Sequence, residues 1–222
     1  MYKEEAREAA PICDRVLGKL LEVAPTRGRS GSNLRTAVGD FLANSEVLIQ
    51  HDLSGPPLDA IFELARQANV SRAQMKQIRF VAVAENPVSL GATLIKNSLI
   101  NFALATEARI LVDTTFVSRQ DVDQIKKEMN EGFAPMEEIA ADDMDQLVYK
   151  ALVELHAAVA FYLAEMARPL PRIVQYRFHQ TLPSLVVAYK LYSNAGRADE
   201  VRAENKIVHP AFMPLVGRAL SK

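Results

Sequence analysis

PMEEIAADDMDQLVYKALVELHAAVAFYLAEMARP, Pro135–Pro169, is the stretch on which the fold class turns. Val148, Leu152, Leu155, Val159, Leu163 and Met166 recur every three or four residues, the spacing of one helix face. Pro135 suits a first helical turn, and Glu137, Glu138, Asp142, Asp143 and Asp145 follow where a helix dipole is positive. Arg168 complements the other end and Pro169 stops the run. The spacing predicts one helix from Pro135 to Arg168.

Working outward, the same period fills most of the chain. Tyr2–Val23 predicts a helix through Ile12, Val16, Leu20 and Val23, with Pro11 marking its start or a kink. Pro25–Asn33 reads as a loop. A second helix runs from about Asn33 through Leu34, Val38, Leu42 and Val47 or Leu48 until HDLSGPPLD, His51–Asp59, stops it, and Pro56 and Pro57 introduce a third that reaches Ala65. Ser71 and Gln74 have capping-box spacing, so a fourth begins near Arg72 and ends before Pro87. Ile95, Leu99, Phe102, Thr106 and Ile110 trace one face of a long helix from Ser89. Ser118 caps the next, with Asp121 and Asp123 in its first turns.

With only 9 glycines and no Trp, the composition speaks against a sheet-based fold. The expectation is an all-α bundle of about eight helices with a C-terminal extended clasp. Its halves divide as 1–115 and 116–222, within one continuous bundle.

Net charge is −1, but it is unevenly spread. Met1–Thr115 balances 13 basic against 13 acidic side chains, Phe116–Arg168 carries 5 against 11, and Pro169–Lys222 carries 8 against 3. An acidic middle and a basic end suit head-to-tail contacts between copies. Both signs of charge at the N-terminus speak against a signal peptide, and Glu154 and Glu165 interrupt the longest apolar run, so no membrane span is expected. The single Cys13 reads as a small core thiol.

Catalytic and cofactor signals are sparse. Thr26–Asn33, TRGRSGSN, lacks the phosphate-loop pattern, although Arg27, Arg29 and Arg35 are candidates for holding an anion. His51, His156, His179 and His209 have no second His or Cys at ligand spacing, and His156 reads as a satisfied, partly buried imidazole. There is no nucleophile-elbow motif. The expectation is a protein without catalytic residues, metal or cofactor. Nucleic acid is weighed through the basic Arg172, Arg177, Lys190, Arg197, Arg202, Lys206 and Arg218, interleaved with Tyr176, Phe178, Tyr189, Tyr192 and Phe212.

Thr181–Pro214, TLPSLVVAYKLYSNAGRADEVRAENKIVHPAFMP, is written more specifically than any other part. Thr181 predicts a cap, Pro183 a first turn, and Asn194-Ala-Gly196 a stop using glycine's freedom at positive φ. Asp199 and Glu200 open another helix; Pro210 holds His209 extended, and Phe212 pins the tail to the bundle. Leu182–Leu185, Ala188, Tyr189, Leu191 and Tyr192, then Arg197–Glu200, Asn205, and His209, Pro210, Phe212 and Pro214 stand in a fixed order. That order, closing on GRAL (Gly217–Leu220), resembles the C-terminal end of the Mu-like phage DNA circulation (DNA circularisation) proteins.

The resemblance extends more loosely back to Phe116. Members of that family usually carry a separate N-terminal domain that is not recognised here, so nothing belonging to it is transferred. The resemblance implies a non-enzymatic phage or prophage tail protein near the baseplate or tail-tube end, active in virion assembly and DNA delivery. Its implied place is the virion tail, and the host cytoplasm during assembly. Its implied partners are sister copies and other tail proteins, with the Leu182–Pro214 motif as a docking element. An alternative is noncovalent binding of DNA ends; a third is an unrelated helical adaptor or regulator.

Overall fold

The computed structural model describes residues 1–25 and 28–221. It is all-α, 71% helical, with ten α-helices and one two-stranded sheet among the described residues. The chain divides into two compact units, Met1–Thr114 with Met129–Val159, and Thr115–Glu128 with Ala160–Lys222. Both are discontinuous in sequence.

The first unit is a helix bundle. α1 (Lys3–Val23) buries Ala6, Ala9, Ile12, Cys13, Val16, Leu17 and Leu20 along one face. Pro11 lies inside it, so it neither starts nor stops the helix. An internal proline costs about 3 kcal/mol, which the burial of Ile12, Val16 and Leu20, at about 1.5–3 kcal/mol each, outweighs. α2 (Gly28–Ala43) begins earlier than composition predicts, because Gly31 and Leu34 are buried and draw the glycine-rich segment into the helix. The helix expected to continue to Val47 or Leu48 breaks instead at Asn44, so that α3 (Ser45–Gln50) is separate, and α4 (Gly55–Gln67) follows.

α5 (Arg72–Ala84) starts on the expected capping box, with Ser71 Oγ accepting from the Gln74 backbone and the Gln74 side chain accepting from the Ser71 N–H. α6 (Leu90–Leu111) is the central helix, packed against α1, α4 and α5. It is buried on more than the expected stripe, since Ala103, Leu104, Glu107, Ala108 and Leu111 are also enclosed.

α7 (Arg119–Asp142) corrects the reading of Pro135–Arg168 as one helix. It starts at the expected Ser118 cap, where Ser118 Oγ accepts from the Asp121 N–H and Asp121 accepts from that of Ser118. It then runs straight through Pro135. Phe133 and Met136 are buried on either side of that proline, and their burial again outweighs its cost. The real break lies in the acidic cluster. Met144 takes φ 56°, and Asp145 Oδ1 accepts from the Val148 N–H to start α8 (Gln146–Ala167).

In the second unit, β1 (Ile173–Arg177) pairs antiparallel with β2 (Val216–Leu220), in a register that sets Tyr176 opposite Gly217 and Gln175 opposite Arg218. Between them lie α9 (Ser184–Tyr192), a 3₁₀ turn (Ala195–Arg197) and α10 (Ala198–Glu204). Tyr176, Val187, Ala188, Tyr192, Ala198, Val201, Met213 and Ala219 form the core of this unit.

Three local expectations are corrected here. The residue that caps α9 is Pro183, not Thr181, and no side chain bonds to the helix end. The turn to positive φ falls on Ser193 at 58°, whereas Gly196 sits in the 3₁₀ turn, so Asn194 Oδ1 accepts from its N–H instead. Phe212 is 66% exposed, and the residue that anchors the tail is its neighbour Met213, 1% exposed. The clasp itself is present. The Ser184 N–H donates to Pro210 O, that of Met213 to Leu182 O, and that of Phe178 to Leu215 O.

Candidate interaction surfaces

The Leu182–Pro214 motif separates into an inward and an outward set. Leu182 packs against the core and Tyr192 is part of it, with the Arg197 guanidinium 3.8 Å above the Tyr192 ring centre. Asn205 is a brace. Its side-chain amide donates to Val201 O and Arg218 O, each at 2.7 Å, and its Oδ1 accepts from the Arg218 N–H at 2.8 Å, tying α10 to β2. Outward stand Pro183, Tyr189, His209, Pro210 and Phe212, with Pro214 half-buried. The His209 and Phe212 rings lie 5.1 Å apart. Leu185, Val186 and Tyr189 leave the outer face of α9 apolar and uncovered.

Only some of the basic candidates are free to meet phosphate. Arg197 bonds to both carboxylate oxygens of Glu200, Arg202 pairs with Asp199 at 2.7 Å, and Arg218 lies 3.8 Å from Glu204. The exposed Arg172, Arg177, Lys190 and Lys206 form no ion pair among the described residues, and Lys190 stands over the Phe178 ring. Arg27 lies outside the described residues. Arg29 and Arg35 do not converge on a loop, since both are on α2, six residues and so about 120° apart around the helix.

α8 carries a long apolar surface that is largely uncovered. By length and composition this helix could cross a membrane, yet only 17% of its most apolar window is buried. Leu152, Val159 and Leu163 face inward. On the opposite side Phe161 is 70% exposed, flanked by Val153, Ala157, Ala158 and Ala164, with Leu147 84% exposed one end along. Two ion pairs, Lys150–Glu154 at 3.8 Å and Glu165–Arg168 at 2.9 Å, interrupt that side.

The first unit also holds polar groups that sequence reading missed. Glu107, fully buried, accepts from Arg79 Nε at 2.7 Å, and Arg72 lies 3.9 Å from its other oxygen. Burial raises the Glu107 carboxyl above its ordinary range, partly offset by the Arg79 charge. The signal was slight, because Glu107 stands one position from the apolar stripe and looks like a solvent residue. His156 is satisfied as expected, its Nδ1 2.8 Å from Glu137 and its Nε2 2.9 Å from Asn130, stacked on Phe133. Cys13 is sealed, and burial pushes its thiol up to about 12. A cavity of about 290 Å³ lies between Phe102, Ala105, Arg109, Ala151, Leu152 and Leu155. Among the described residues no three His, Cys, Asp or Glu side chains gather as a metal site would need.

No protein-family model matches the chain, and no curated protein matches it either.

Proposed function

We propose that this chain is a non-enzymatic structural protein of a phage or prophage tail, positioned near the baseplate or tail-tube end. In this reading it serves virion assembly and DNA delivery by binding sister copies and neighbouring tail proteins. One observation carries it: α8 is the most apolar long helix and lies largely uncovered. A free protein seldom leaves so many large apolar side chains of one helix in water, whereas a subunit of an assembly covers them on association. The outward Tyr189 and Phe212 of the family-like motif add a second apolar element. Acidic and basic segments of opposite net charge suit neighbours that meet head to tail.

Sedimentation velocity over a range of concentrations tests the proposal. A discrete oligomer that Phe161→Glu dissociates supports it. A strictly monomeric chain that also fails to bind any tail protein in reconstitution removes it.

A second reading, noncovalent binding of DNA ends, is favoured by the unpaired Arg172, Arg177, Lys190 and Lys206 in one unit. It predicts affinity that falls steeply with added salt, because each phosphate contact releases a counterion. A mobility shift that is absent at low salt eliminates it. The third, a helical adaptor or regulator, rests on the Phe102–Leu155 cavity and predicts thermal stabilisation by a small apolar ligand.

A further inference from the structure

The second unit contains an arginine-lined cavity outside the apolar faces of α8 and α9. Arg119, Arg168, Arg172 and Arg197 line one open cavity of about 530 Å³. That size falls in the ~300–1,000 Å³ range of small-molecule sites. Four arginines line this one space, and like charges so gathered repel each other unless anions intervene. Only two have carboxylate partners, Arg168 with Glu165 and Arg197 with Glu200, and neither carboxylate is part of the cavity wall.

The other two are unneutralised among the described residues. Arg119, the first residue of α7, is held by a bond from its Nη2 to the Arg168 carbonyl at 3.2 Å. Its Nε is buried with no hydrogen-bond partner among the described residues. Arg172 is exposed, and its side chain makes no hydrogen bond or ion pair among the described residues. Its backbone N–H donates to Ser221 Oγ, which fixes the position of the chain beneath it. Ser221 and the apolar Pro169, Leu170 and Pro171 make up the rest of the wall, where the body of a ligand can rest.

We infer that this cavity binds a terminal phosphoryl group, held between Arg119 and Arg172 with Arg168 and Arg197 at its rim. Planar guanidinium forks match phosphate oxygens two at a time, which lysines cannot do. The inference does not rest on the tail-assembly reading. The phosphoryl group has two conceivable sources, a small phosphorylated molecule or the 5′ end of a DNA strand, and the chemistry of capture is shared.

The test is calorimetric titration of the full chain with pyrophosphate at constant ionic strength, followed by competition with 5′-phosphorylated and 5′-hydroxyl oligonucleotides. Saturable pyrophosphate binding is expected. Arg172→Ala is expected to weaken it by about tenfold or more, the loss of one charge-assisted contact. Arg177→Ala, which removes an equal charge outside the cavity, is expected to leave it unchanged. Because Arg119 also bonds to backbone, Arg119→Gln is read beside Arg172→Ala, whose side chain holds nothing in place. Competition by the 5′-phosphorylated strand alone assigns the site to DNA ends; competition by neither strand assigns it to a small phosphorylated molecule. Absence of saturable binding, or equal weakening by Arg177→Ala and Arg172→Ala, overturns the inference.

Discussion

The Tyr176 hydroxyl lies directly over Gly217, its cross-strand partner, so that β1 and β2 approach where no other side chain fits. A Cβ at position 217 would overlap the Tyr176 hydroxyl and stand 2.5 Å from Asn205 Oδ1. Gly217→Ala is therefore expected to destabilise the second unit by about 1–3 kcal/mol, as overpacking does. The Tyr176 hydroxyl is buried without a hydrogen-bond partner among the described residues. Tyr176→Phe should accordingly be neutral or stabilising, and should relieve part of the Gly217→Ala loss. A double-mutant cycle by urea denaturation measures both; strictly additive effects would contradict the contact.

The Arg79–Glu107 pair predicts strong coupling. Removing either partner alone strands a charge in the core and should cost about 3–5 kcal/mol. Replacing both, as Arg79→Met with Glu107→Leu, should cost much less than the sum. Chemical denaturation of the three variants decides the matter.

Gly132 of α7 faces the same region. A Cβ there would stand 2.7 Å from Leu104 Cδ2 and 3.2 Å from Arg79 Cζ. Gly132→Ala gains helix propensity of about 1 kcal/mol but should still destabilise, because Leu104 and Arg79 are buried and cannot swing clear. A raised melting temperature would show that α7 shifts easily.

Glu85 shapes the acid limb of the stability profile. The Arg15 guanidinium donates to it, Nε to Oε1 at 2.7 Å, and holds its carboxyl below the ordinary value of 4.5. The stabilisation is therefore complete above that value and fades as pH falls through the lowered one. Glu85→Gln should narrow the difference from the parent protein as the solution is acidified below pH 4.5, and keep it constant above. Thermal melts across an acid series give the comparison.

The exposed face of α8 predicts a separation of folding from association. Phe161 is 70% exposed, so Phe161→Glu should leave the folding stability of the isolated chain within about 0.5 kcal/mol of the parent's, measured by chemical denaturation. Self-association should fall sharply. Loss of folded protein on this substitution would mean that the face is already covered within the chain.

Local signals with a backbone mechanism were legible in the sequence. Ser71–Gln74 and Ser118–Asp121 each satisfy orphan N–H groups, and both helices begin where those residues stand. Proline proved weaker than its reputation, because Pro11 and Pro135 are flanked by side chains whose burial exceeds the cost of a missing bond. The true break at Met144 could not be seen, since a methionine carries no preference for positive φ. The strands Ile173–Arg177 and Val216–Leu220 were equally hidden: each is short, and each is stable only through a partner far along the chain. Phe212 and Met213 show the same limit, as neighbouring apolar residues in an extended tail face opposite ways and only the packing selects the inner one. The cavity of four arginines is assembled from four separate segments, which no local pattern could gather.

The interleaving of the two units has a consequence for biogenesis. During vectorial synthesis the first 114 residues emerge with Leu104 and Arg79 still lacking the backbone of Gly132 that closes over them. Thr115–Glu128, made in between, must wait for companions that begin only at Ala160. Neither unit can mature on the ribosome before translation has entered the other, and no single scission point releases one free of the other's residues.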